Sequence, residues 1–120
     1  MAVRALRGAT TVEADTPEQI SERTQEMLLA LLSQNGLEVD DVISVLFTAT
    51  EDVVSLFPAA AARGIGFGVV PLICAREISV PGATPRCLRV MLHVETQRPR
   101  ESIHHVYLHG AQGLRDDLPR

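Results

Sequence analysis

The segment CLRVMLHV, residues 87–94, most constrains the fold of this chain. Read with a period of two, it sets Leu88, Val90, Leu92 and Val94 on one face of a strand. Cys87, Arg89, Met91, His93 and the following Glu95 fall on the other. The first face suits an amphipathic helix. The second carries a permanent cation among apolar neighbours, so it requires something other than the chain's own core: a ligand, a neighbouring subunit, or both. A shorter stretch, His104 to His109, repeats the design, with Val106 and Leu108 on one face and His105, Tyr107 and His109 on the other. Spacing alone does not decide the matter. An arginine in a strand more often keeps its guanidinium in water or pairs with a structural carboxylate, and a tyrosine there is more often a core or interface residue.

The remaining elements follow from local signals. Ala2 to Arg7 reads as a first strand closed by Gly8. Thr16-Pro17-Glu18-Gln19 starts a helix: Thr16 caps, Pro17 suits the first helical position, and Gln19 can complete a capping box. Ile20, Met27, Leu28, Leu31 and Leu32 share one helical face, and Asn35-Gly36 is the stop. Val42 to Ala49 is nearly all apolar and predicts a central strand covered on both faces. Thr50 starts a short turn, Pro58 opens another and Gly64 ends it. Phe67 to Ile73 predicts a third strand, Arg86 to Glu95 a fourth and His104 to His109 a fifth. The expectation is one α+β domain over 1–120, with a mixed five-stranded sheet, one long amphipathic helix and short helical turns.

Composition narrows the chemistry. No apolar run approaches the ~20 residues that cross a membrane, and MAVRALRGATT lacks the apolar stretch of a signal peptide, so no membrane and a cytoplasmic location are expected. A net charge of −4 and 3% aromatic residues give no basic surface or stacking platform for nucleic acid. Every basic side chain other than histidine is Arg. The absence of Lys excludes a Schiff-base lysine and a Walker-type phosphate loop, whereas the planar fork of Arg suits carboxylates.

Other motifs fail on their own terms. Gly64 to Gly68, GIGFG, misplaces the third glycine of a dinucleotide loop and precedes a strand where a helix must open. His104, His105 and His109 do not form H-E-x-x-H, and alternation splits the adjacent pair across a sheet, so no metal is expected. Cys74 and Cys87 form no C-x-x-C pair, and nothing marks either as an activated partner of His93. No nucleophile, general base or cofactor loop emerges.

Four stretches together resemble the monofunctional AroH-type chorismate mutases: VRALRGATTVEADTPEQI, LFTATEDVVSLFPAAAAR, VPLICAREISVPGATPRCLRVMLHV and HHVYLHGAQGLRDDL. They stand in the family's order, from near the N-terminus to about Leu118. The resemblance implies conversion of chorismate to prephenate, an intramolecular Claisen rearrangement on the route to phenylalanine and tyrosine. No cofactor takes part. As the ether C–O bond breaks ahead of C–C bond formation, the ether oxygen becomes more negative, and a donor fixed beside it stabilises the transition state over the ground state.

The resemblance also implies site residues. Arg89 matches the arginine at the ether oxygen, Arg7 one that binds a carboxylate, and Glu77 the carboxylate that orients the ring hydroxyl; a salt bridge to a pocket arginine is Glu77's other reading, and both can hold. Cys74 matches a polar neighbour of that hydroxyl and Tyr107 a carboxylate-binding residue. Phe57, Ala59 and Arg63 match the rim and apolar wall, while Leu114 and Arg115 match a mobile tail, beginning after about residue 114, that helps close the site. Ala60 stands where some relatives place a lysine, and Asp116 and Asp117 directly follow Arg115, two carboxylates expected as competitors for its guanidinium. Family members are homotrimers with a barrel-like centre and active sites between subunits. By analogy Arg7, Arg89 and Tyr107 come from one subunit, and Phe57, Cys74 and Glu77 from its neighbour. A second class stays open: a RidA-like trimeric imine deaminase, or a non-catalytic trimer that binds a carboxylate ligand.

Overall fold

The long helix begins where Thr16 meets Pro17. The structure, a computed structural model, describes residues 1–114; Arg115, Asp116 and Asp117 lie outside them. Helix α1 spans Pro17–Gln34, and the Thr16 hydroxyl accepts the Gln19 N–H at 3.2 Å. Gln19 does not close a capping box on Thr16. Its Oε1 accepts the Glu13 and Ala14 N–H groups instead, fastening the preceding loop. At the other end the buried Asn35 does more than stop the helix. Its amide donates to Leu31 O at 2.8 Å and His104 O at 2.9 Å, and its carbonyl accepts the His104 N–H at 2.7 Å.

Five strands form one sheet: β1 (Ala2–Thr11), β2 (Val42–Ala49), β3 (Leu72–Arg76), β4 (Cys87–Thr96) and β5 (Val106–Tyr107), in the order β3-β2-β4-β1-β5. The β1–β4 and β2–β4 pairs are antiparallel, and β2–β3 and β1–β5 are parallel. A short helix, α2 (Pro58–Arg63), opens at Pro58 as its position predicts. The expected α+β architecture with a mixed five-stranded sheet is therefore present. Among the described residues no helix is long and apolar enough to cross a membrane.

One sheet face packs on α1. Leu6, Met27, Leu28, Leu31, Phe47 and Leu92 are fully buried there, each stabilising the fold by roughly 1.5–3 kcal/mol through its removal from water. The alternation predicted for β4 holds: Leu88, Val90, Leu92 and Val94 are buried, while Arg89, Met91 and His93 are only partly covered.

Four boundaries or environments differ from expectation. The first strand runs through Gly8 to Thr11, because Gly8 is an approach point and not an ending: a Cβ there would stand 2.9 Å from Leu31 Cδ1, 3.1 Å from Val90 Cγ1 and 3.2 Å from Met27 Cγ. We expect Gly8→Ala to destabilise the fold by about 1–3 kcal/mol through overpacking, measured by urea denaturation; an unchanged midpoint would show that α1 yields freely. Strand β2 is not covered on both faces, since Val45 and Phe47 are buried while Ile43 and Leu46 are each 39% exposed. The third strand starts at Leu72, not Phe67. Phe67–Val69 forms a 3-10 turn, and Pro71 has no N–H to give a ladder. The fifth strand shrinks to Val106–Tyr107, because His109 takes a φ of +51° and begins another turn.

Candidate active site

The second sheet face gathers the polar residues. Cross-strand partners share a face, so the register lines up Ala75, Thr48, Arg89, Ala9 and Tyr107 in one row, with Ile73, Leu46, Met91 and Arg7 in the next. The result is a cavity of about 200 Å³ whose lining includes Arg7, Leu46, Thr48, Arg89, Met91 and Tyr107. Three residues far apart in sequence thus converge, because β1 pairs with both β4 and β5. The cavity is smaller than the ~300–1,000 Å³ usual for a small-molecule site.

Glu77 completes the charged group. Its N–H continues the β2–β3 pairing by donating to Ala49 O at 3.0 Å, which brings the side chain back over the row containing Arg89. Glu77 Oε2 lies 3.0 Å from Arg89 Nε and accepts the Thr48 hydroxyl at 2.6 Å. The Arg89 contact is an ion pair outside hydrogen-bond geometry, so the buried Nε–H retains its donor capacity. This corrects the expected division of the site: Glu77 stands beside Arg89 of its own chain, not across from it on a neighbour. With the Arg89 side chain 39% exposed, such a pair adds little stability. Its effect is to fix the direction of the guanidinium.

Phe57 and Cys74 lie elsewhere. They line a second hollow of about 400 Å³ at the β3 edge, with Val53, Leu56, Pro58 and Arg76 among its walls. Phe57 is 71% exposed. Ala59 is buried in the core and lines neither hollow, and exposed Arg63 at the end of α2 also lines neither. Leu114 packs on the cluster of Ala9, Tyr107 and Ala111, so the chain entering the tail lies against the Tyr107 end of the first cavity.

The cysteines do not make a nucleophilic pair with His93: Cys74 shares the row of Phe47 and Val90, on the sheet face opposite His93. Burial pushes the Cys87 thiol up, against a smaller lowering by Arg89. Six residue steps along one extended strand, ~20 Å, separate Cys87 from His93, and the His93 ring meets Ser44 Oγ at 3.4 Å. The histidines are engaged separately: His109 Nε2 pairs with Glu26 at 2.8 Å, and His105 Nδ1 accepts the Arg7 N–H at 3.0 Å. Among the described residues no group of three His, Cys, Asp or Glu side chains is placed to hold a metal ion.

Two contributors escaped the sequence reading. Thr48 sits in an apolar strand, and only its register with Ala75 and Arg89 shows that its hydroxyl can reach Glu77. His105 was legible as a residue of the polar face, but not as the acceptor for a backbone amide on β1.

Known proteins share this arrangement of sequence and fold. The chorismate mutase type I family profile matches residues 3–118. Chorismate mutase AroH from Thermus thermophilus is 50% identical over 117 residues, covering 97% of this chain and 96% of that protein. Chorismate mutase AroH from Bacillus subtilis (strain 168) is 42% identical over 119 residues, covering 98% and 94%. Among solved structures, a chorismate mutase from Clostridium thermocellum superposes with a TM-score of 0.89 at 48% identity, covering 91% of this chain and 97% of that one. The match spans the strands that carry Arg7, Arg89 and Tyr107 and leaves no large segment unaccounted for, so the chain belongs to the chorismate mutase type I family.

Proposed function

We propose that this chain is a chorismate mutase that rearranges chorismate to prephenate by charge stabilisation and conformer selection, in a site shared between copies of a homotrimer. The single observation that carries the reading is the convergence of Arg7, Arg89 and Tyr107 on one cavity, with Glu77 at Arg89. Chorismate is a dianion, and two arginines against one carboxylate leave a surplus of positive charge for it. Arg89 faces the ether oxygen, where negative charge grows as the C–O bond opens. Arg7 and Tyr107 hold carboxylates, and Glu77 accepts the ring hydroxyl's hydrogen bond. The reaction transfers no proton and needs no cofactor.

Phe57, Cys74 and Arg63 of a neighbouring copy supply the opposite wall in this reading, with Ala59 shaping that wall from behind through the packing of α2. Leu114 bounds the Tyr107 end of the site, within one domain spanning 1–120 in the cytoplasm; the tail role of Arg115 falls outside the described residues. Exposed Leu46 and Ile73 on the cavity's own sheet face support the assembly, because contiguous apolar surface of this kind marks an interface.

Loss of chorismate's ultraviolet absorbance with appearance of prephenate is the expected result on adding the protein. Turnover should vary little between about pH 6 and 9, since reference pKa values of Arg and Glu lie outside that range. A steep bell-shaped profile near neutrality would point to acid–base chemistry and revive the imine deaminase class. Binding without turnover would indicate a carboxylate sensor.

A further inference from the structure

We propose that His105 is a positioning residue for Arg7, acting as a neutral acceptor that holds the Arg7 backbone where its guanidinium can meet a substrate carboxylate. The inference rests on the chorismate mutase reading for the role of Arg7, and on geometry for the contact itself.

The parallel ladder between β1 and β5 contains only two pairs, Gly8–Val106 and Ala9–Tyr107. One residue before it, the Arg7 N–H points to an edge where β5 has not begun. The ladder offers no carbonyl there, and the His105 ring takes its place, with Nδ1 accepting the Arg7 N–H at 3.0 Å. An unmet amide at this edge would leave the strand free to fray at the residue that must hold its side chain still. Asn35 anchors the other side of the device by binding both backbone groups of His104, so the segment leading into His105 is fixed to the end of α1.

The contact dictates a protonation state. Nδ1 accepts only when the ring is neutral with its proton on Nε2; an imidazolium would present a donor to a donor. The surroundings favour the neutral ring. Burial, and to a smaller extent the charge of adjacent His104, lower its pKa from the ordinary 6.5. The groups sharing its cavity are also basic, namely Arg4 and His93 on β1 and β4, and Arg100 on the following turn. Because the folded pKa is depressed, the hydrogen bond is complete above the ordinary value and is lost as pH falls through the lower folded value.

The test combines steady-state kinetics from pH 5 to 8 with nitrogen–proton NMR of the wild-type protein. KM for chorismate should rise about 2- to 10-fold as pH falls through the depressed folded pKa of His105, the range expected for losing one neutral hydrogen bond, while kcat stays nearly level because Arg7 contributes binding common to ground and transition states. The Arg7 amide resonance should titrate together with the His105 ring. His105→Asn, which keeps an acceptor near the Nδ1 position but cannot titrate there, should return KM to within about 3-fold of wild type and abolish the acid rise. His105→Leu should show the raised KM at every pH. An Arg7 amide that ignores His105 titration, or an acid rise that persists in a folded His105→Asn variant, would overturn the proposal. The amide titration needs no substrate, so absent turnover at every pH would sink the functional reading while the amide result still decided the contact.

Discussion

Replacing Arg89 by citrulline is expected to lower kcat by at least ~10²–10³-fold, roughly 3–4 kcal/mol of transition-state stabilisation. Citrulline keeps the planar shape and removes the charge, so it separates electrostatics from packing. The geometry favours a large effect. Arg89 is held by Glu77 at 3.0 Å, and Glu77 by Thr48 at 2.6 Å, so the cation is oriented before substrate arrives and no reorganisation is needed as the ether oxygen gains charge. Losing a full charge from a partly desolvated cavity should exceed the loss of one neutral donor. If Arg89 only positioned chorismate, the variant would raise KM and leave kcat nearly unchanged. Sedimentation and circular dichroism must first show an intact assembly, because Glu77 would lose its counter-charge. A well-folded citrulline variant with near-normal kcat would refute the electrostatic account.

Ile73→Glu is expected to split the proposed trimer and to reduce turnover at least ~10²-fold, the scale of loss when reacting groups are misplaced. Ile73 lies on edge strand β3, 63% exposed, directly across from Leu46 on the face that carries Arg89. In the proposed assembly this surface is covered, and a carboxylate there would be buried without a partner, at a cost of several kcal/mol. Far-UV circular dichroism should remain that of the folded chain, while sedimentation reports a monomer. Ile73→Val, as a control, should remain assembled and active. Full turnover from an Ile73→Glu monomer would end the shared-site proposal, and a persistent trimer would place Ile73 outside the interface.

What was legible in the sequence depended on how locally each feature is determined. The α1 boundaries follow from Thr16, Pro17 and Asn35, whose effects act within a turn of the helix, and the structure reproduces them. The two-faced character of β4 follows from alternation alone. By contrast, Gly8 reads as punctuation until α1 is packed against it, and Phe67 to Ile73 reads as a strand until Pro71 is seen to delay the pairing. The site divides in the same way. Arg89 and Tyr107 can be set on faces of like character by counting residues. The side on which Glu77 stands depends on how the β3 end continues along β2, and the acceptor for the Arg7 amide depends on where β5 begins. No local pattern encodes either.

The attachment of Glu77 to its own chain separates two processes by their response to dilution. The contact between Glu77 and Arg89 forms within a single polypeptide, so its population is set by folding and does not vary with protein concentration. Closure of the cavity by Phe57 and Cys74 of another copy, in the proposed assembly, obeys mass action. Progressive dilution should therefore lower activity per chain while spectroscopic signals from the Glu77 carboxylate and the Arg89 guanidinium persist. The charged centre would outlast the enclosure that makes it catalytic.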